Sequence, residues 1–303
     1  MLPIYFMKEE YVKKEHYIPQ FALKYFQNED GRIPFTDIKK KPLKIITSKS
    51  NNLMHEKDFY EIKDSEGIYI LRNTIEDNYS FFEGRISRKF QRLLDLSFQD
   101  DFQNKFVELV MNGEWAVIEA ELLLYMVFLL IRSKGVKNLT YSKSKLPQNY
   151  QHILHLLMTT TPTQTAEFAK NMFNGEELEN ILYFIKNDTE AIPIKTLSEH
   201  IMNNYQIRVC KVKETKRLFL SDNPVIVQKF EGEDYILPIS PNVCIILVPM
   251  NINDETIQID THVYSLNDVA VKKINEQSIL NTDRLIIISD ERDLIFIEQI
   301  LSL

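Results

Sequence analysis

The chain has 303 residues, 44% of them apolar and 26% charged, which is ordinary globular usage and excludes disorder, collagen and a disulfide scaffold. Only 7 glycines are present, and the absence of G-x-G-x-x-G and G-x-x-x-x-G-K-[ST] argues against the common phosphate-cradling nucleotide sites. With 43 acidic and 36 basic side chains the formal charge is −7, so a nucleic-acid partner would need a local basic patch, and an anionic membrane exerts no global attraction.

Met1 to Met7 is a short apolar stretch that ends at Lys8, Glu9 and Glu10; lacking a basic start and sufficient apolar length, it reads as a loose arm and not as a secretory leader. Glu15-His16-Tyr17-Ile18-Pro19-Gln20-Phe21 leads into a short helix, with Pro19 in the first turn where its missing N–H costs no bond. Asn28-Glu29-Asp30-Gly31 predicts a turn and Arg32 to Phe35 a short edge strand. A hairpin is expected around Lys63-Asp64-Ser65-Glu66-Gly67, with Ile68 to Leu71 as its outgoing strand.

From Thr74 to about Ser97, Ile75, Tyr79, Phe82, Ile86, Phe90, Leu93 and Leu94 recur at intervals of three and four, the stripe of an amphipathic helix. Helices over Asp101–Met111 and Trp115–Arg132 follow. The longest apolar run, Leu122–Ile131, is about half of what a bilayer crossing needs and is read as a buried helix. Further helices are expected over Tyr150–Met158, Thr163–Phe173, Glu176–Lys186 and Ile194–Asn203.

At Tyr205 the period becomes two: Ile207, Val209 and Lys211 face one way and Arg208, Cys210 and Val212 the other. Strands are predicted at 217–220, 225–229, 235–239, 243–249 and 256–260, then a helix capped by Ser265, a strand over Arg284–Ile288 and a closing helix over Glu291–Leu301. Cys210 and Cys244 lie in apolar strand segments and read as inert core thiols. The fold class is therefore α+β, a helical middle packed with a mostly antiparallel C-terminal sheet. One domain is expected over 1–303, with an N-terminal arm and hairpin (1–73), a helical region (74–204) and a β-rich region (205–303). A cytoplasmic, non-membrane protein is the corresponding expectation.

Several separated elements resemble the DUF4238 family, a bacterial family of unknown function: His16-Tyr17-Ile18-Pro19-Gln20-Phe21, the turn Asp30-Gly31, the spaced pair Glu76 and Glu83, and the apolar helix ending at Arg132. Ser221-Asp222-Asn223-Pro224-Val225, Pro238-Ile239-Ser240-Pro241 and Asn275 continue the likeness in the right order. The resemblance covers most of the chain and implies no particular chemistry, so the residues are read on their own merits.

His16 is a candidate acid, base or metal ligand near neutral pH, with helix anchoring as its plain alternative. Glu76 and Glu83, two helical turns apart, project from nearly one face about 10.5 Å apart along the axis, too far to clasp one ion directly. They could flank a polar substrate, or one could join His16 at a metal, while ordinary exposed glutamates on the solvent face of the helix are the plain alternative and the more common one. Asp222 in the Ser221–Pro224 turn is either a rigidly mounted base or metal ligand, or a turn former. These four form the expected catalytic set. Glu83 and Asp222 are the candidate ligands of a divalent ion, Mg²⁺ or Mn²⁺. Tyr17, Gln20, Arg85, Asn223, Ser240 and Asn275 are candidate substrate-binding residues. Arg85, Arg88, Lys89 and Arg92 give one helix a basic stripe that could meet phosphate, though at helical spacing such a stripe is more often an i,i+4 surface network. His152 and His155, three apart, lack companions for a zinc set. The leading expectation is a metal-dependent, nuclease-like hydrolase of RNA or DNA of an accessory or defence type. The alternative is a non-catalytic sensor or protein-partner-binding domain in which the same residues tie the N-terminal arm to the fold.

Overall fold

In the computed structural model the described residues are 13–63, 69–70, 73–133, 153, 156–157, 162–187, 193–213, 215–227, 235–250 and 259–302. The arm at Met1–Met7, the His152/His155 pair and the tip of the hairpin after Lys63 lie outside them.

The N-terminal part comprises β1 (Lys14–His16), α1 (Gln20–Leu23), β2 (Ile33–Asp37), β3 (Ile46–Ser48), β4 (His55–Lys57), β5 (Ile62–Lys63) and β6 (Tyr69–Ile70). Pro19 stands at the N-cap of α1 with φ −57°, where a missing N–H leaves no helical bond unmade. β1 pairs antiparallel with β4, setting His16 opposite His55, and β5 with β6 forms the expected hairpin.

The helical region begins with α2 (Thr74–Ser97), α3 (Phe102–Met111) and α4 (Glu114–Arg132). Ile75, Tyr79, Ile86, Phe90, Leu93 and Leu94 are all buried, with Phe82 packed against the same core, so the helical periodicity and the buried face coincide. Gly113, at φ +78°, turns α3 into α4 in the left-handed region that glycine enters without strain. The apolar run of α4 is buried among α2, α3 and the sheet. Among the described residues no helix is long and apolar enough to cross a membrane. Next come α5 (Pro162–Met172), α6 (Gly175–Asn187) and α7 (Pro193–Asn204).

The remaining elements are β7 (Tyr205–Val212), β8 (Leu220–Ser221), β9 (Tyr235–Ser240), β10 (Val243–Pro249), β11 (Val263–Leu266), α8 (Asp268–Leu280), β12 (Leu285–Ile287) and α9 (Glu291–Leu301). The strands divide between two sheets. One runs β11-β7-β10-β9, antiparallel except for the parallel β11–β7 pair. The other runs β3-β2-β12-β8 and is antiparallel throughout. The fold is mixed α+β, as expected, with N-terminal strands contributing to the second sheet.

Four local expectations are corrected. Arg32–Phe35 is not an edge strand: β2 lies between β3 and β12, and Pro34 is tolerated because β12 is ending opposite it, where Ile288 still donates to the Pro34 carbonyl at 3.2 Å. Residues 217–219 do not extend β8, because the Phe219 N–H goes to the Asn275 side chain and the Leu218 N–H to the Pro241 carbonyl. Of the strand expected at 225–229, the described part forms only an isolated bridge, Ile226 with Ile236. Ser265 lies inside β11 opposite Lys211, and Asn267 caps α8, its side chain accepting from the Ala270 N–H at 2.8 Å.

The period-two pattern of β7 becomes the two faces of the first sheet. Tyr205, Ile207 and Val209 join the main core with α2, α3 and α4, while Cys210 and Val212 pack with Ile236, Ile246 and Ile274 beneath α8. The main core runs in sequence from Tyr17 to Ile287. A third cluster, including Phe219, Ile286, Ile288 and Ile297, fills the space between the second sheet and the last two helices.

Candidate functional site

The residues carrying the family likeness fall into two polar networks. The first is built around Arg132, 2% exposed at the end of α4. Its Nε donates to the Tyr60 hydroxyl at 2.9 Å, its Nη1 to Glu83 at 2.5 Å and its Nη2 to the carbonyl of His16. The Tyr60 hydroxyl donates in turn to the same carbonyl at 3.3 Å. Tyr79 and Tyr60 place their rings 4.1 and 5.5 Å from the guanidinium carbon, so the cation is held by aromatic faces as well as by acceptors. The fork of the guanidinium thus binds β1, α2 and the Tyr60 segment onto α4, a geometry a point-charge ammonium does not supply.

Carboxyls crowd this cation. Glu15 is fully buried and its Oε2 accepts from the Tyr60 N–H at 2.5 Å. Burial above all, then Glu61 and Glu76 nearby and a side-chain hydrogen bond with Glu61, push its carboxyl up to about 8 against the pull of the Tyr60 amide. Its Oε1 has no donor, so protonation of one carboxyl of the Glu15–Glu61 pair satisfies both. Glu61 Oε1 also accepts from the N–H of Asn73 at 2.9 Å, the left-handed residue (φ 65°) that opens α2. Burial raises Glu76 to about 7, Arg132 opposing and Glu83, Asp77 and Glu61 reinforcing. The imidazole of His16, 7% exposed, is driven down to about 4 by burial first and then by His55, Arg132 and Lys14.

The second network surrounds Asp222, 1% exposed. One of its oxygens accepts from the Asp283 N–H at 2.8 Å, the other from the N–H groups of Arg284 and Leu285 at 2.8 and 2.9 Å. The turn is thereby fastened to the start of β12. Asn223 and Asn281 exchange side-chain-to-backbone bonds at 3.0 and 2.6 Å. Ser240 accepts from the Asn242 N–H at 3.3 Å within the β9–β10 turn. Asn275 holds both Phe219 N–H and the Arg217 carbonyl at 2.9 Å. Tyr17 joins this side: its hydroxyl is held protonated by burial and by the neighbouring Asp222 charge.

The structure therefore brings His16, Glu76 and Glu83 together at Arg132, and Tyr17, Asp222 and Asn223 into the second network. Gln20 is exposed at the first turn of α1. Arg85 and Arg92 of the basic stripe reach across to Glu121 and Glu114 of α4 at 2.8 and 3.1 Å, so these ion pairs run between helices and not at i,i+4 within α2. The carboxylates of Glu83 and Asp222 fit a shared ion poorly, because one is bonded to a guanidinium and the other to three amides. Among the described residues no group of three or more His, Cys, Asp or Glu is arranged to hold a metal.

Sequence reasoning placed Arg132 only within the family likeness and missed Glu15, His55, Tyr60 and Glu61 as companions. The available signal was a lone guanidinium ending an otherwise apolar helix, which demands buried acceptors. The identity of those acceptors was not readable, because they come from segments far apart in sequence.

Neither the curated proteins nor the solved structures provide a match. The family model described as "Protein of unknown function (DUF4238)" matches residues 14–292, and with that match spanning both networks the chain belongs to the DUF4238 family.

Proposed function

We propose that this chain acts as a non-catalytic sensor or protein-partner-binding domain, in which the family's signature residues lock the N-terminal ribbon and the β12 turn onto the helical core. The observation that carries this reading is the state of Asp222: a carboxylate serving as base or metal ligand must be reachable by substrate or ion, and this one is buried and engaged by three backbone amides. Arg132 supports it, since all three of its nitrogens donate to groups of the fold. Two free, buried cysteines fit a reducing compartment such as the cytoplasm.

The test joins stability to activity. Asp222→Ala and Arg132→Met are each expected to lower the unfolding midpoint strongly, and neither the wild type nor the variants should cleave RNA or DNA with Mg²⁺ or Mn²⁺ above a mock-purified background. Metal-dependent cleavage that disappears in a folded Glu76→Gln variant would overturn the proposal.

That outcome would favour the second reading, a nuclease-like hydrolase of accessory or defence type. Its support is the separation of proton affinities around Arg132, which acts on both groups: Glu76 is raised to about 7 and His16 lowered to about 4, the kind of divergence found at acid–base sites. Glu76 is half-buried and its Oε2 is without a partner, so it is the group on which this reading depends.

A further inference from the structure

The facing histidines of the N-terminal ribbon have the features of metal ligands. His16 and His55 stand directly opposite each other on β1 and β4, with ring centres 5.3 Å apart and planes inclined at 62°. Nε2 of His16 is buried and has no partner, and Nδ1 of His55 is in the same condition. Each ring thus holds a nitrogen that no hydrogen bond of the fold occupies, which a ligating histidine requires. Two imidazoles on one tetrahedral ion, with metal–nitrogen bonds of about 2.1 Å, place their ring centres roughly 5.2 Å apart. The observed ring separation of 5.3 Å matches that value.

We propose that His16 and His55 form a two-histidine site for a borderline transition-metal ion of the Zn²⁺, Ni²⁺ or Cu²⁺ class. Imidazole nitrogens select such ions over Mg²⁺ and Ca²⁺, which take oxygen ligands. His55 is the half-buried member of the pair, so water filling the remaining coordination positions would enter on its side. Burial lowers the proton affinity of each ring, with further lowering by Lys14, a shift toward the neutral form that ligation requires. Lys14 and Arg132 weaken the attraction for a cation, but the Lys14 ammonium is on Asn52 at 2.7 Å and the guanidinium is on Glu83. A bound ion would cross-link β1 to β4. The inference is independent of whether the domain is catalytic.

The experiment titrates the full chain, stripped with chelator, with Zn²⁺ or Ni²⁺ at pH 7.5, using Mg²⁺ as control and following calorimetric binding and melting temperature. Binding near one equivalent and a melting temperature that climbs with metal concentration are expected, with no response to Mg²⁺. His55→Ala, at the half-buried position, should fold and lose at least tenfold in affinity, whereas a His152→Ala/His155→Ala double variant should bind as the wild type does. Cu²⁺ should show hyperfine coupling to two imidazole nitrogens by electron paramagnetic resonance, absent in His55→Ala. Zn²⁺ and Ni²⁺ responses no larger than that to Mg²⁺, or binding that survives His55→Ala but not the double variant, would overturn the proposal.

Discussion

The guanidinium carbon of Arg132 lies 4.1 Å from the centre of the Tyr79 ring, so a charge buried at the end of an apolar helix is faced by an aromatic surface while its donors reach three other parts of the chain. A cation enclosed in this way is compensated only as long as every acceptor stays in place.

Replacing Arg132 therefore tests the network as a unit. Arg132→Met leaves the Glu83 carboxylate without its guanidinium and the His16 carbonyl with the Tyr60 hydroxyl alone, and is expected to cost about 3–5 kcal/mol. Arg132→Lys keeps the charge but cannot reach three acceptors in one plane, and should recover only part of that loss. Urea unfolding followed by far-ultraviolet dichroism measures both; a loss below about 1 kcal/mol for Arg132→Met would show that the cluster contributes little to stability.

Asp222 is expected to be sensitive as well. Asp222→Ala removes the acceptor of three part-buried N–H groups at the entry to β12; Asp283 and Arg284 are exposed, so water takes over some of these bonds and a total loss of about 1–3 kcal/mol is expected. Asp222→Asn retains one acceptor oxygen and should fall between wild type and alanine. An unchanged melting temperature in Asp222→Ala would show that the turn is held by other means.

The Glu15–Glu61 pair makes a prediction with a definite sign. Glu15 binds its proton more tightly in the folded state, at about 8 against an ordinary 4.5, so the folded state carries the extra proton between those values. Its contribution is full below about pH 4.5, is eroded as pH rises and is gone above about pH 8. Glu15→Gln mimics the protonated form and should gain on the wild type across that window by on the order of 1 kcal/mol per pH unit. Parallel stability curves for the two proteins from pH 5 to 8 would contradict the assignment.

Cys210 and Cys244 face each other across β7 and β10 in the core beneath α8. The Cys210 thiol, hydrogen-bonded to Cys244, and then burial hold the Cys244 proton far above its usual range. Neither thiol should react with an aromatic disulfide reagent in native buffer within the time that exposed thiols need, and both should react at once in denaturant. Fast labelling of the native protein would require an opening of the first sheet.

Arg85→Ala should be mild, at under about 1 kcal/mol in thermal unfolding, because the pair with Glu121 is partly exposed and screened by salt.

The contrast among these residues explains what sequence could reveal. The stripe of α2 and the alternation of β7 were readable because a periodic pattern of burial imposes its period on the residues themselves. The ends of strands were not: residues 217–219 look like a strand, yet their backbone groups bond to Asn275 and Pro241, partners that no local pattern announces. The candidate residues divided in the same way. His16, Glu76, Glu83 and Asp222 stood out by type and spacing, but that Arg132 gathers three of them while amides of the 283–285 turn occupy the fourth depends on tertiary placement alone.

The second sheet places β12 between β2 and β8, and Arg284 reaches Asp37 across 247 residues of sequence. During synthesis the β2–β3 hairpin must therefore wait, one long edge unpaired, until nearly all of this fold has left the ribosome. Closing so wide a loop late favours slow acquisition of the native state, and in the interval that edge is open to pairing with strands from other chains.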